Sequence, residues 1–142
     1  MLRVVLDTNV IVSGILSRQG ASARVLHAWR ERRFLLLSSP AIVAEIQMVL
    51  GYPHIRNKYN LNAADIEQVI SLLEHDALLV PGSADVAGSL PADPKDEMFL
   101  ACALDGQADM IVSGDHHLLD LGVFRKIPVI TLQQFLEQLQ SG

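Results

Sequence analysis

The sequence predicts an α/β fold in which helices cover both faces of a parallel sheet. Short apolar runs rich in Val, Leu and Ile alternate with segments of helical periodicity. The 142 residues are half hydrophobic and have a mean hydropathy of +0.30, so a substantial core is expected. No repeat, low-complexity tract or linker divides the chain. We therefore expect one domain over residues 1–142.

The first predicted strand is a short, Val-rich run at the start of the chain. The predicted strands cover residues 2–6, 34–37, 77–80, 110–113 and 128–131. The predicted helices cover residues 9–16, 21–33, 40–50, 62–74, 95–107, 115–119 and 133–140, with the longest loop at 81–94. Thr8 or Asn9 is expected to cap the first helix. Ser39-Pro40 is a clear start for the third helix, which should stop at Gly51-Tyr52-Pro53.

Two acidic residues follow predicted strands directly. Asp7 comes after Leu2-Arg3-Val4-Val5-Leu6, and Asp115 lies just beyond Met110-Ile111-Val112. Ligands of open α/β sheets bind beyond the carboxyl ends of the strands. If these two strands are neighbours, both carboxylates face one pocket.

Two further acids lie on or beside the apolar faces of predicted helices. Glu45 falls at the edge of the face that carries Ile42, Ile46 and Val49, and Asp96 precedes an apolar stripe that starts at Phe99. A buried carboxylate is costly unless it is paired or bound to a cation. Four convergent carboxylates therefore predict a divalent metal site and phosphate chemistry.

Each of the four acids also has a purely structural explanation. Asp7 and Asp115 could cap the helices that follow them, and Asp96 could serve only the helix dipole in a first turn. Glu45 could be half-exposed with a buried stem. It is much less favoured that all four acids are purely structural, because the sequence position of each one separately indicates the same end of the sheet.

The net charge of −5 at first disfavours a nucleic-acid partner. Neutralising the four proposed ligands would leave about −1. A cluster of arginines provides a local basic patch that could bind a phosphate backbone. The same cluster could instead be a solvated helix face. It consists of Arg18, Arg24, Arg30, Arg32 and Arg33.

The single cysteine, Cys102, and the lack of an evident signal peptide or membrane span favour a cytoplasmic location.

Four motifs, in this order, resemble those of the PIN domain family. They are Leu6-Asp7-Thr8-Asn9, the helix 39–46 that contains Glu45, the segment 93–103 that contains Asp96, and the segment 108–119 that contains Asp115. Together they span essentially the whole chain. The branch that it resembles most comprises small stand-alone bacterial and archaeal proteins regarded as toxins of toxin–antitoxin pairs.

The resemblance implies a three-layer α/β/α sandwich with a central parallel sheet. It also implies a Mg²⁺- or Mn²⁺-dependent nuclease that acts on RNA, with a possible antitoxin partner. The family's acidic site falls on Asp7, Glu45, Asp96 and Asp115, of which Asp7, Asp96 and Asp115 are the expected metal ligands. The family's polar supporting positions correspond to Asn9 and Ser113, with Asp93 or Glu97 as an accessory acid. The same resemblance and the high apolar content favour a homodimer.

Two features depart from the family pattern. Lys95 stands where relatives often carry an acid or a polar residue, and it could meet a phosphate. His116 and His117 are adjacent, and neighbouring helical residues diverge by about 100°. We therefore expect these two imidazoles to lie on the surface and not to share a metal.

Cleavage would follow from attack of an activated water in line with the leaving oxygen. Asp7 and Asp96 are the expected principal ligands, Asp115 a ligand through water or an orienting group, and Glu45 a residue that positions or deprotonates the nucleophile. Whether one or two metals bind is left open. No Gly-x-Ser-x-Gly motif is present, and Cys102 has no evident partner for nucleophilic catalysis.

Two alternatives remain at this stage. A receiver-type signalling domain also gathers acids to bind Mg²⁺, but it needs an Asp at the end of a middle strand and a Lys after a late strand, whereas Lys126 precedes the last predicted strand. A non-catalytic PIN-like interaction module would keep the fold without turnover.

Overall fold

Short apolar runs form the strands of a single sheet in a computed structural model that describes residues 1–141. Within this range the strands are β1 (Arg3–Leu6), β2 (Leu35–Ser38), β3 (Leu78–Leu79), β4 (Met110–Val112), β5 (Val123–Phe124) and β6 (Ile127–Ile130). The helices are α1 (Thr8–Leu16), α2 (Ala21–Arg30), α3 (Pro40–Leu50), α4 (Pro53–Tyr59), α5 (Ala63–Asp76), α6 (Glu97–Asp105), α7 (His116–Leu119) and α8 (Leu132–Ser141). A single 3₁₀ turn, Pro94–Asp96, leads into α6.

The sheet order is β3-β2-β1-β4-β6-β5, and every neighbouring pair except β5 with β6 is parallel. The predicted α/β fold with a central parallel sheet is therefore confirmed, with one antiparallel edge strand added. The chain passes from β1 to β2 on one side and later returns to β4 on the other. This change of direction places the carboxyl ends of β1 and β4 side by side, with Leu6 opposite Val112.

The core lies on and around the central strands. Val4, Val5 and Leu6 of β1 are fully buried, as are Ile111 and Val112 of β4. Continuous apolar strands of this kind are expected where both faces of a parallel sheet are covered. Helix α6 contacts β1, β2 and β4. Of the helices described within residues 1–141, none combines the length and apolar character needed to cross a membrane.

Helix starts follow the local chemistry of the sequence. Ser39 caps α3 by accepting the N–H of Ile42, and Pro40 occupies the first turn as predicted. The cap of α1 differs from the prediction, because Asp7, and not Thr8 or Asn9, accepts the N–H of Val10. Asp7 therefore connects β1 directly to α1.

The main departures from the predicted elements involve α2, α4 and α6. Helix α2 ends at Arg30, since Arg32 takes a left-handed conformation with φ of 61°. Gly51-Tyr52-Pro53 ends α3 as predicted, but Pro53 then begins α4, a short helix with no fully buried residue and therefore no apolar stripe to reveal it. The predicted helix at 95–107 is the 3₁₀ turn followed by α6.

Strand β5 was not predicted. It forms a hairpin with β6 around Arg125 and Lys126, whose φ angles are 46° and 73°. Two-residue hairpins of this hand favour Asn-Gly or Asp-Gly, because most side chains are strained at positive φ. The Arg-Lys pair therefore carries no turn signal in the sequence.

Candidate metal centre at the ends of the central strands

All four predicted acids line one small pocket of about 80 Å³ beyond the carboxyl ends of β1 and β4. Asp7 follows β1, Glu45 projects from α3, Asp96 immediately precedes α6, and Asp115 follows β4. The remaining lining residues are Thr8, Asn9, Val49 and Phe99. The fold thus brings together side chains that are widely separated in the sequence.

Asp7 is held rigidly at the base of the pocket. It is 4% exposed, its Oδ1 accepts the N–H of Val10 at 2.9 Å, and its Oδ2 accepts the hydroxyl of Ser113 and the N–H of Gly114. Burial raises the pKa of Asp7, although these hydrogen bonds oppose the change. An ionised carboxylate has about four lone-pair positions. Three are occupied here, which leaves one for a ligand in the pocket.

Asp93, Asp96 and Asp115 form the second part of the centre. One carboxylate oxygen of each lies within 4.8 Å of the other two. Burial, a hydrogen bond to Asp115 and the charges of Asp93, Asp115 and Glu45 raise the pKa of Asp96 to about 7. Burial alone would also raise the pKa of Asp115, but the N–H of His117, the hydrogen bond from Asp96 and the nearby imidazoles lower it. Without a cation, Asp96 therefore holds a proton more readily than Asp115.

Glu45 faces two partners across the pocket. Its Oε2 accepts the hydroxyl of Thr8 at 2.5 Å, and its Oε1 lies 3.8 Å from the Nζ of Lys95. Thr8 is buried and was considered in the sequence only as a helix cap. Its contact with Glu45 spans 37 positions, so no local pattern could have indicated it. Lys95, which is exposed, lies at the mouth of the site as its sequence position suggested.

The supporting residues occupy different surroundings. Ser113 is fully buried and connects two acids, because its hydroxyl donates to Asp7 and accepts the N–H of Asp115 at 2.9 Å. Asn9 lines the pocket with an exposed side chain. Glu97 is turned away, since its Oε2 accepts the N–H of Leu90 at 2.9 Å and holds the preceding loop. Asp93, and not Glu97, lies close to Asp96 and is the candidate accessory acid.

Structural roles and site placement coexist at two of the acids. Asp7 caps α1, and Asp115 caps α7 by accepting the N–H of His117 at 2.9 Å. Asp96 occupies the cap position of α6 but makes no side-chain capping hydrogen bond. Capping therefore does not account for the placement of Asp96 among other carboxylates.

The adjacent histidines lie closer together than the sequence led us to expect. His116 is exposed and His117 half-buried, yet their ring centroids are 4.0 Å apart at an interplanar angle of 42°. One ring nitrogen of each and one oxygen of Asp115 all lie within 4.8 Å of one another. The expected 100° divergence applies to regular helices, whereas α7 is a single turn of four residues.

The basic patch lies away from the acidic pocket. Arg18, Arg24, Arg30 and Arg33 line a separate cavity of about 700 Å³ beside α1, α2 and α8, and none of them lines the pocket of the four acids. Arg30 is paired with Asp76 at 2.6 Å, and Arg33 donates to the carbonyl of Leu139 at 2.5 Å. The two regions lie towards opposite ends of α1, since Thr8 and Asn9 line the acidic pocket whereas Gly14 and Ile15 line the larger cavity.

The donor set of the acidic pocket suits a hard divalent cation. Mg²⁺ and Mn²⁺ bind carboxylate oxygens and retain water ligands. Asp7, Asp96 and Asp115 supply such oxygens, and burial, together with the neighbouring carboxylates, raises the pKa values of Asp7 and Asp96. A positive charge at this position would favour the ionised form of both carboxyl groups.

Comparisons with known proteins agree with this architecture. An uncharacterized protein of Methanocaldococcus jannaschii is 24% identical over 150 residues, which cover 99% of this chain and 93% of its own length. The VapBC2 complex of Rickettsia felis bound to a DNA fragment from its promoter contains a similar fold, with 12% identity and a TM-score of 0.60. FitAcB of Neisseria gonorrhoeae is similar at 17% identity and a TM-score of 0.52. Both alignments cover 92% of this chain and 98% of the other.

A sequence model of the PIN domain matches residues 3–117, which include all four acids of the pocket. The match confirms the predicted resemblance to this family. The chain belongs to the PIN domain family.

Proposed function

We propose that this protein is a ribonuclease that depends on Mg²⁺ or Mn²⁺ and acts as the toxin of a toxin–antitoxin pair. The observation that carries the proposal is the convergence of Asp7, Glu45, Asp96 and Asp115 on one pocket of a PIN domain. The fold also resembles proteins from VapBC2 and FitAcB. A non-catalytic interaction module would not require four acids around one pocket.

Asp7, Asp96 and Asp115 would hold the cation. When bound there, a divalent cation supplies Lewis-acid chemistry, making water more acidic and neutralising charge that develops on a phosphate. Ser113 keeps Asp7 in place through its hydroxyl and orients the backbone that carries Asp115. Loss of the proton shared by Asp96 and Asp115 would then be favoured by the cation's charge.

Glu45 is the residue placed to orient or deprotonate the attacking water. The hydroxyl of Thr8 fixes its Oε2, so its Oε1 is the oxygen available for a proton. Lys95 lies 3.8 Å from this oxygen at the exposed mouth of the pocket. Its ammonium can bind a phosphate of the RNA and keep the strand close to Glu45.

A cleavage assay with matched variants tests the activity. The parent should cut single-stranded RNA with Mg²⁺ or Mn²⁺ and lose activity in a chelator. Glu45→Gln and Asp96→Asn should each lose at least about a hundredfold in rate, because the first removes a group that acts on the attacking water and the second removes a ligand of the cation. Glu67→Gln, an exposed acid on α5, is the control. Equal cleavage by all four preparations would identify a contaminant and leave the interaction module as the better explanation.

The receiver-type alternative is not supported by the structure. Lys126 lies in the turn before β6, at the amino end of a strand that runs parallel to β4. The four acids lie beyond the carboxyl ends of β1 and β4. Lys126 therefore lies at the amino ends of the parallel strands, whereas the acids lie at their carboxyl ends. At that distance it cannot assist a phosphorylated carboxylate.

We further propose that Arg18, Arg24, Arg30 and Arg33 extend the RNA-binding surface. Arg18 and Arg24 are exposed, whereas Arg30 and Arg33 are also engaged by Asp76 and Leu139. Changing Arg18 and Arg24 to Ala should therefore reduce the salt dependence of RNA binding without loss of stability. If the salt dependence of RNA binding stayed the same, the arginines would form only a solvated surface and would not contact RNA.

We also propose an antitoxin partner, a homodimer and a cytoplasmic location. Induced expression of the parent should arrest bacterial growth, and expression of Asp96→Asn should not, if the protein is a toxin.

Met48 and Tyr52, exposed apolar side chains near the end of α3, support self-association. Light scattering at micromolar concentration that gave only a 15.5 kDa monomer would overturn the dimer. Cys102 is a free, buried thiol, as suits a reducing compartment.

A further inference from the structure

The turn after β4 carries a group of metal-binding atoms that differs in chemistry from the acidic pocket. Asp115 contributes one carboxylate oxygen, and His116 and His117 contribute one ring nitrogen each, all within 4.8 Å. Within residues 1–141 neither imidazole ring takes part in a hydrogen bond, and the Nδ1 of His116 lies 3.9 Å from the Oδ1 of Asp115. Both rings are therefore free to bind a ligand.

The spacing of these atoms suits one cation. Ligands at about 2.0–2.2 Å from a common ion lie roughly 3–4 Å apart. Small rotations about the side-chain torsions of His116 and His117 would bring the three atoms into that range. Their rings already lie 4.0 Å apart. Three protein ligands would leave a fourth position for water or a phosphate oxygen.

We infer that Asp115, His116 and His117 form a second cation site, which binds transition metals such as Co²⁺ or Zn²⁺ in preference to Mg²⁺. Imidazole nitrogen is a poor ligand for Mg²⁺, but it suits the later first-row metals, whose affinity rises along the series towards copper. The site is distinct from the group formed by Asp93, Asp96 and Asp115. The two groups share only Asp115.

Sharing of Asp115 links the two sites. A single carboxylate can bridge two cations, one through each oxygen, at the separation of about 3.5–4 Å found in two-metal centres. Asp115 lines the acidic pocket and also lies beside both histidines. The identity of the metals present would thus decide whether one or two cations occupy the centre. This binding does not depend on whether the chain cleaves RNA.

The test is calorimetric titration with Co²⁺ of protein that carries no polyhistidine tag, in slightly alkaline buffer so that the imidazoles are neutral. Excess Mg²⁺ is included to occupy the carboxylates. The variants are His116→Ala/His117→Ala and, as a matched control, His54→Ala/His75→Ala, which removes two exposed histidines elsewhere.

The parent and the control should bind Co²⁺ in excess Mg²⁺ with the same affinity. The His116→Ala/His117→Ala variant should bind at least about tenfold more weakly. Equal affinity for the parent and the His116→Ala/His117→Ala variant would overturn the inference, and so would an equal loss in the control. Either result can be obtained whether or not RNA is cleaved.

Discussion

Asp96→Asn separates the metal-site role of this residue from a purely helical one. The pKa of Asp96 rises from an ordinary 3.8 to about 7 in the folded chain, mainly through burial and neighbouring acids. Between these pH values the folded state keeps a proton that the unfolded chain releases. The free energy of unfolding therefore falls as pH rises from about 4 to about 7, and the penalty persists at higher pH.

The size of the effect can be bounded. The change in pKa corresponds to about 4 kcal/mol at full strength, but Asp96 is only half-buried, and screening by water reduces this to about 1–2 kcal/mol. Asp96→Asn removes the charge and hence the penalty. We expect the variant to be more stable than the parent by about 1–2 kcal/mol at pH 8 and by much less at pH 5, without metal.

The assay is thermal denaturation at both pH values, with and without Mn²⁺, beside RNA cleavage. A cation at a hundred times its Kd stabilises the folded parent by about 2.7 kcal/mol, and the variant should lose most of that gain. Glu67→Gln should follow the parent throughout. If Asp96→Asn instead lost about 0.3–1 kcal/mol at both pH values and cleaved RNA fully, Asp96 would be a first-turn acid that serves only the helix dipole.

Three further substitutions test the supporting structure. Ser113→Ala should lower the free energy of unfolding by about 1–3 kcal/mol and weaken Mn²⁺ binding measured by calorimetry, because Asp7 loses its hydroxyl partner; unchanged metal affinity would contradict this role. Gly14→Ala should cost about 1–3 kcal/mol in urea denaturation, since its Cβ would lie 2.4 Å from the Cδ2 of Leu26, while Mn²⁺ affinity stays the same. Lys126→Gly should raise the melting temperature by relieving about 0.5–1 kcal/mol of strain at positive φ, and a lower melting temperature would refute that strain.

Most of the fold was predictable because local sequence and tertiary structure agree. The apolar run before Asp7 forms a buried central strand, and Ser39-Pro40 begins a helix where such a pair should. The omissions are elements without a local signal. Helix α4 buries no residue fully, and β5 depends on a turn of Arg125 and Lys126 whose side chains disfavour that conformation.

The acids of the pocket were identifiable because carboxylates at strand ends and on apolar helix faces conflict with the surrounding pattern. Their partners were less predictable. The hydroxyl of Thr8 meets Glu45 only after α1 and α3 pack together. The close approach of the His116 and His117 rings was not predictable from the sequence, because side-chain torsions in a one-turn helix outweigh the divergence of the backbone positions.

The edges of the sheet limit how this protein can associate with others. On one side the sheet ends with β3 and on the other with β5, and each has only two residues. So short an edge offers few backbone hydrogen bonds to an incoming strand. Leu78 and Leu79 remain partly exposed on β3 without forming a template for strand addition. Partner chains and second copies should therefore dock through helix surfaces, and helical peptides are the natural starting point for inhibitors of such contacts.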